Sequence, residues 1–358
     1  MSAGLLVAGS PFSAAQPFFD FAQFASPATF QRPAADAIDV LPDGRIIALS
    51  GANVFIETAV GSKTFPATPN ATLAGLNLGS AAAFLRVSPD GSRIAVGNNG
   101  GPSFSDFRIG VYATADFSGQ VFSGLPHYDA RFFGNNELII SRGGATFADP
   151  SSVVALDVTQ DPMSAVTRLL VSGIGGASAG VFVDAAGRLV TGNGFQNSGP
   201  SQTGDIRSFG PGEWQPGLSG GPAVNFETGG TLVARLLGAA SLGFDSEGNL
   251  LVGGGEFNGQ PDYAGIVRAS RYLDTLAGMA SPVTASEMVD LRQLFPQPVS
   301  VFSSHSWTWN PVLGEGYLTR FGESTTWVVV PEPVSVVLLA AGGAVLLRRR
   351  RLGRVCGV

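Results

Sequence analysis

Four segments of this 358-residue chain share one composition: glycines, a single phenylalanine and a closing aspartate. They are residues 97–106 with Phe104 and Asp106, 142–149 with Phe147 and Asp149, 192–205 with Phe195 and Asp205, and 253–262 with Phe257 and Asp262. Carboxylates gathered from four such loops could hold Ca²⁺, a hard cation that takes oxygen ligands. The phenyl rings could equally serve as platforms for a sugar. A third reading needs no ligand. Aspartate at a loop end accepts hydrogen bonds from nearby backbone N–H groups, and glycines with one phenylalanine make a compact loop. The residues alone leave the three open. Ca²⁺ is the one ion admitted, and no cofactor is expected.

Other chemistry is sparse. The two histidines, His127 and His305, stand far apart in the chain. His305 lies in Ser303-Ser304-His305-Ser306-Trp307, but no nucleophile elbow accompanies those serines. No G-x-x-x-x-G-K-[ST] phosphate loop occurs, and Lys63 is the only lysine. The single cysteine, Cys356, excludes a disulfide framework and a cysteine zinc site. Before Pro331 the chain holds 16 basic and 26 acidic residues, which excludes the basic footprint of nucleic-acid binding.

The elements that must position these loops repeat. A strand, a tight turn and a second strand occur at 38–49, 84–96, 130–140, 181–190 and 242–252, with a degenerate copy at 307–318. The turn position is Gly44, Gly91, Asn136, Gly187, Gly248 and Gly314. A tight hairpin turn needs a residue that tolerates positive φ, which Gly and Asn supply. Asp43, Asp90, Asp184 and Asp245 beside these turns read as turn formers. The spacing, 47, 45 and 51 residues before it lengthens, suits a four-stranded propeller blade. Third strands are expected at 54–57, 108–112, 153–158, 204–209, 266–269 and 325–330. The longer intervals carry inserts, and 286–295 predicts a short helix capped by Ser286.

The fold expected is all-β: a six-bladed β-propeller with a C-terminal single hydrophobic anchor helix, and seven blades as the alternative. Residues 18–32 would supply the outer strand of the last blade. The hairpins Asp184 to Val190 and Asp245 to Val252 resemble those of NHL and gluconolactonase-like propellers. That resemblance implies a metal-dependent, lactonase-like hydrolase as one function, its divalent ion held near the channel axis by Glu, Asn and Asp. Asp39, Asp129 and Asn225 have suitable chemistry but no supporting spacing.

The last residues differ from the rest. Val330-Pro331-Glu332-Pro333 precedes the apolar run 334–347, and Arg348, Arg349, Arg350 and Arg351 follow it. Such a run beside an arginine block reads as a membrane segment with its basic end cytoplasmic. The three parts in this order resemble the PEP-CTERM sorting signal of Gram-negative bacteria that make exopolysaccharide. The resemblance implies export, an exosortase-type enzyme as partner, transient anchoring in the inner membrane, tail processing, and a final place at the cell surface or in the matrix. Leu5 to Ala8 and Ser13 to Ala15 read as the remnant of a signal peptide. The chain therefore divides into a signal segment (1–15), a propeller (16–330), a sorting segment (331–351) and a tail (352–358). The function expected first is a binding or scaffold propeller, with a polysaccharide or protein as ligand.

Overall fold

Ile46-Ile47-Ala48-Leu49 shows why the apolar runs are continuous rather than alternating. Successive strand residues point to opposite faces, and here both faces are buried. Ile46 and Ala48 pack in one apolar cluster, Ile47 and Leu49 in another. The computed structural model describes residues 28–330 apart from 34–36, 79–81, 99, 101–104, 145–148, 196–203, 237–238, 255–263, 291–304 and 321–322.

These strands form six antiparallel blades. Blade 1 runs from Ile38–Val40 outward through Ile46–Ser50 and Asn53–Ile56 to Ala71–Thr72. The inner strands of the next five are Ala82–Val87, His127–Phe133, Ala177–Val183, Ser241–Phe244 and His305–Asn310. Each inner strand contacts the next, and the sixth contacts the first. Six apolar clusters fill the six seams between neighbouring blades, so each sheet is covered on both sides. The architecture is the expected six-bladed propeller with few helices.

Ring closure uses chain from both ends. Thr29–Gln31 pairs antiparallel with Thr325–Val329 as the outer strand of blade 6. Phe30 is buried and meets the Tyr317 ring edge-on at 5.9 Å. At the seam between blades 6 and 1, Asn310 Nδ2 donates to Gly44 O at 2.8 Å, and Lys63 Nζ donates to Tyr317 Oη at 2.8 Å. The lone lysine thus works as a ring fastener.

The long intervals hide no seventh blade among the described residues; they hold inserts. After the third strand of blade 4, Gly204–Phe209, come a helix Pro211–Trp214, a 3-10 turn Gln215–Ser219 and a strand Val224–Asn225. That strand pairs in parallel with Arg168–Ile174, the outer strand of blade 3. Blade 5 repeats the device: its insert carries a helix Ala269–Leu276 and a strand Val283–Thr284, which adds to Thr231–Leu236 of blade 4. Each insert covers an edge strand that would otherwise expose unpaired backbone groups.

Two expectations are corrected. In the third blade Gly134, not Asn136, takes the left-handed conformation, with φ 69°. The bend falls at the earlier glycine because it has no Cβ penalty. The helix predicted at 286–295 is instead a 3-10 turn Ala285–Glu287 followed by a strand Val289–Asp290, with 291–304 outside the described residues. Its cap is Thr284, whose backbone N–H donates to Glu287 Oε2 at 3.0 Å. The blade needs an outer strand there, and sheet pairing with Gly265 and Ile266 overrides the local helical pattern. The signal segment 1–15 and the segments 331–351 and 352–358, anchor helix included, lie outside the described residues. Among the described residues no helix is long and apolar enough to cross a membrane.

Candidate functional site

Inner strands of a propeller are edge strands: one side pairs within the blade and the other faces the channel. Here side chains tie those free backbone groups to the neighbouring blade. Thr308 Oγ1 donates to Ile38 O at 3.3 Å, and Asp39 Oδ2 accepts from Val87 N–H at 2.8 Å. Arg86 Nε donates to Ala130 O at 2.9 Å, and Asp129 Oδ2 accepts from Val181 N–H at 3.3 Å. Each link clips one inner strand to the next.

The side chains in this layer occupy one repeat position. Asp39, Arg86, Phe182 and Gly243 stand five residues before their turn glycines Gly44, Gly91, Gly187 and Gly248. Arg131 and Thr308 take the same place in blades 3 and 6. Together the six line a cavity of about 340 Å³ that opens toward the hairpin-turn end of the channel. One side of its wall is charged, from blades 1–3. The other is aromatic: Phe182, Phe244, Trp307 and Trp309. The repeats agree in their hairpins but differ here, which is how a ring of similar units makes an asymmetric pocket. That position was the signal available in the sequence, and only Asp39 is singled out from it without the structure.

The charges are unequally satisfied. Arg86 is buried and donates to Asp129, Ala130 O and Leu85 O. Arg131 has one hydrogen bond, Nη2 to Leu242 O at 3.3 Å, and lies 5.2 Å from the centre of the Phe182 ring. Its Nε has no partner, and neither does Trp309 Nε1. Burial, then the like charge of Arg86, pushes the Arg131 pKa down to about 10. Both oxygens of Asp39 accept backbone N–H groups, those of Val40 and Val87, so Asp39 does not neutralise Arg131 by contact.

The loop residues named from sequence are placed as follows. Asp106 accepts from Arg108 Nε at 2.8 Å and from Asn77 Nδ2 at 2.6 Å, and both bonds lower its pKa. Asp205 lies 3.6 Å from Arg235 Nε. Asp149 packs against Gly144. Asp262, Phe104, Phe147 and Phe257 lie outside the described residues, as does the side chain of Phe195. Among the described residues no three His, Cys, Asp or Glu come together as a metal site. Of the candidate lactonase ligands, Asp39 lines the channel cavity, Asp129 is buried between inner strands against Arg86, and Asn225 sits on the outer rim in the strand added to blade 3. The hairpin acids do shape turns: Asp43, Asp90, Asp184 and Asp245 each accept a backbone N–H two residues on, at 2.9–3.0 Å.

His127 is buried at the start of the blade 3 inner strand, edge-on to Phe84 and Phe107. Its two nitrogens face Leu125 O and Asn98 O, at 2.6 and 2.7 Å, so it ties loop backbone. His305 opens the inner strand of blade 6, opposite Arg320. Two segments match G-x-S-x-G, at 176–180 and 217–221. The first runs into an inner strand and the second into a 3-10 turn, and neither is a strand-to-helix elbow.

No family model matches this sequence, and no curated protein does. Solved structures share the fold. The chain is similar to the holo form of the PQQ domain of pyranose dehydrogenase from Coprinopsis cinerea, with TM-score 0.55, 12% identity, and coverage of 85% of this chain and 97% of that one. It also aligns to a putative oxidoreductase (glucose dehydrogenase) from Thermus thermophilus, at TM-score 0.47 and 14% identity, over 85% of this chain and 100% of that one. The first likeness shows the propeller fold; the second carries no weight at that score. The expectation of a chain without cofactor is corrected on this ground, since a solved structure of the same fold is the holo form of a PQQ domain. PQQ is an orthoquinone bearing three carboxylates, which call for several cationic partners. Among the described residues the cavity holds two guanidiniums: each nitrogen of Arg86 already has a partner, which leaves Arg131 as the one with an unpartnered nitrogen. These residues alone do not fit that group, and no step is derived through it.

Proposed function

We propose that this protein is an exported six-bladed propeller, sorted through its C-terminal signal, that binds a small molecule in the cavity at the hairpin-turn mouth of its channel. One observation carries the binding reading. A single repeat position, contributed once by each blade, sets six residues, five side chains and Gly243, around one cavity of about 340 Å³. That size and the mix of aromatic wall with few polar groups are those of small-ligand sites. Supporting the sorting reading, the Pro331-Glu332-Pro333 element follows directly on Val330, which is exposed at the end of blade 6. An exosortase-type enzyme and, transiently, the inner membrane are its partners in this reading.

Gly243 provides the test. A Cβ built there meets nothing closer than 3.9 Å, so Gly243→Phe should fill the cavity without disturbing the blade. In a thermal-shift screen of small neutral and anionic ring compounds, at least one should raise the melting temperature of the parent and not of Gly243→Phe. Compounds that stabilise both equally, or none at all, would overturn the channel reading. Mass spectrometry of protein recovered outside the cell should find residues after the Pro-Glu-Pro element missing; a retained tail refutes processing.

A further inference from the structure

We infer that the channel cavity takes an organic anion, a carboxylate attached to a ring or apolar body, with the charge on Arg131 and the body against Phe182 and Trp309. This rests on the channel being the binding site. Arg131 carries five N–H donors, and one of them is used, on Leu242 O. The neighbouring acids are turned to other partners and neither bonds Arg131: Asp129 goes to Arg86 and two backbone N–H groups, Asp39 to the N–H groups of Val40 and Val87. Arg131 is partly buried with its Nε unpartnered, and spare donors with restricted access to water are costly. Lys or Gln at this place would leave fewer donors unmet. A carboxylate fits because it accepts two parallel N–H bonds in the plane of the guanidinium.

The second observation is independent of Arg131. Across the aromatic wall, the unpartnered buried side-chain atom is Trp309 Nε1, again a donor. Both unsatisfied groups among the lining residues therefore ask for acceptors, and no unsatisfied acceptor asks for a donor. That asymmetry disfavours a cationic occupant. The rings of Phe182, Phe244 and Trp309 cover the rest of the wall and offer flat apolar surface. This cavity lies at the opposite end of the channel from the glycine-rich loops that the sequence singles out.

Benzoate and its neutral isostere benzamide are suitable probes, followed by tryptophan fluorescence and by equilibrium dialysis. Benzoate should bind and quench, and benzamide should bind at least about tenfold more weakly. Arg131→Gln should lose the preference while keeping its melting temperature, since the residue makes a single long hydrogen bond. Arg131→Lys should retain part of it, a result that a merely structural role would not give. If benzamide binds as well as benzoate, or if Arg131→Gln binds benzoate unchanged, the anion assignment is wrong while the channel reading stands. If neither probe binds, the assignment falls too. The channel reading is then judged separately, by whether Gly243→Phe abolishes the stabilisation given by any compound in the screen.

Discussion

At His127, burial and hydrogen bonding oppose each other. Removal from water pushes its pKa down from 6.5 to about 4, against the pull of Leu125 O, Asn98 O and Asp129. Above about pH 6.5 the ring is neutral in folded and unfolded chains alike. As pH falls from 6.5 toward 4, the unfolded chain binds a proton that the folded chain refuses, so stability falls through that window and levels off below it. A shift of this size is worth about 3 kcal/mol. Urea unfolding at pH 7, 5 and 4 should show this loss, and His127→Gln should show a shallower one. Equal slopes would place the ring's charge elsewhere than burial dictates. No sequence pattern marks His127 as buried; its cage of Phe84 and Phe107 comes from a strand of the preceding blade and from its loop. Arg131 is the same kind of case, an ordinary arginine in the sequence until six strands close round it.

At the scale of the element, the hairpin turns were largely legible. Gly44, Gly91, Gly187, Gly248 and Gly314 all adopt positive φ, between 65° and 90°. Gly44 has a second constraint that the hairpin alone does not show. A Cβ there would stand 2.8 Å from Cβ of Val312, in the turn of blade 6. Gly44→Ala should therefore cost about 1–3 kcal/mol, from the left-handed backbone and the clash together. Gly51→Ala, also at positive φ but with open space around it, serves as the control and should cost less. Chemical denaturation of both variants checks this; equal losses would mean that the turn conformation alone sets the cost. The illegible elements were the inserts. Their short strands add in parallel to the previous blade, a pairing that local sequence does not encode because the partner lies about fifty residues away.

The whole molecule is held by a closure that only one blade makes. Phe30 anchors the three-residue strand that completes blade 6, packing on Tyr317 and, at 6.4 Å, on Phe65 of blade 1. Phe30→Ala should lower stability by about 3 kcal/mol, the usual cost of truncating a buried phenylalanine. Hydrogen exchange should show the loss first at Thr325–Val329, its pairing partner, before blades 2–5 respond. Uniform loss of protection would mean that the ring unfolds as one unit with no weak seam. Exchange at this seam also reports on ligand, since Thr308, Trp309 and Asp39 all line the cavity across it.

Fold class, blade number and all but one of the turn positions followed from the sequence because they are local and repeated: apolar strands, turn glycines, and a return every 45–51 residues before inserts lengthen it. The same is true of the acidic body, and of the tail's order of proline, apolar run and arginines. The cavity and its polarity were decided only by the tertiary structure. The side chains at one repeat position are unrelated as a sequence and become a site only when the ring brings six inner strands around one axis. Which arginine is spent and which is spare was decided there too. That depends on Asp129 reaching Arg86 while Asp39 turns to the backbone of the next blade, a choice made by geometry between blades.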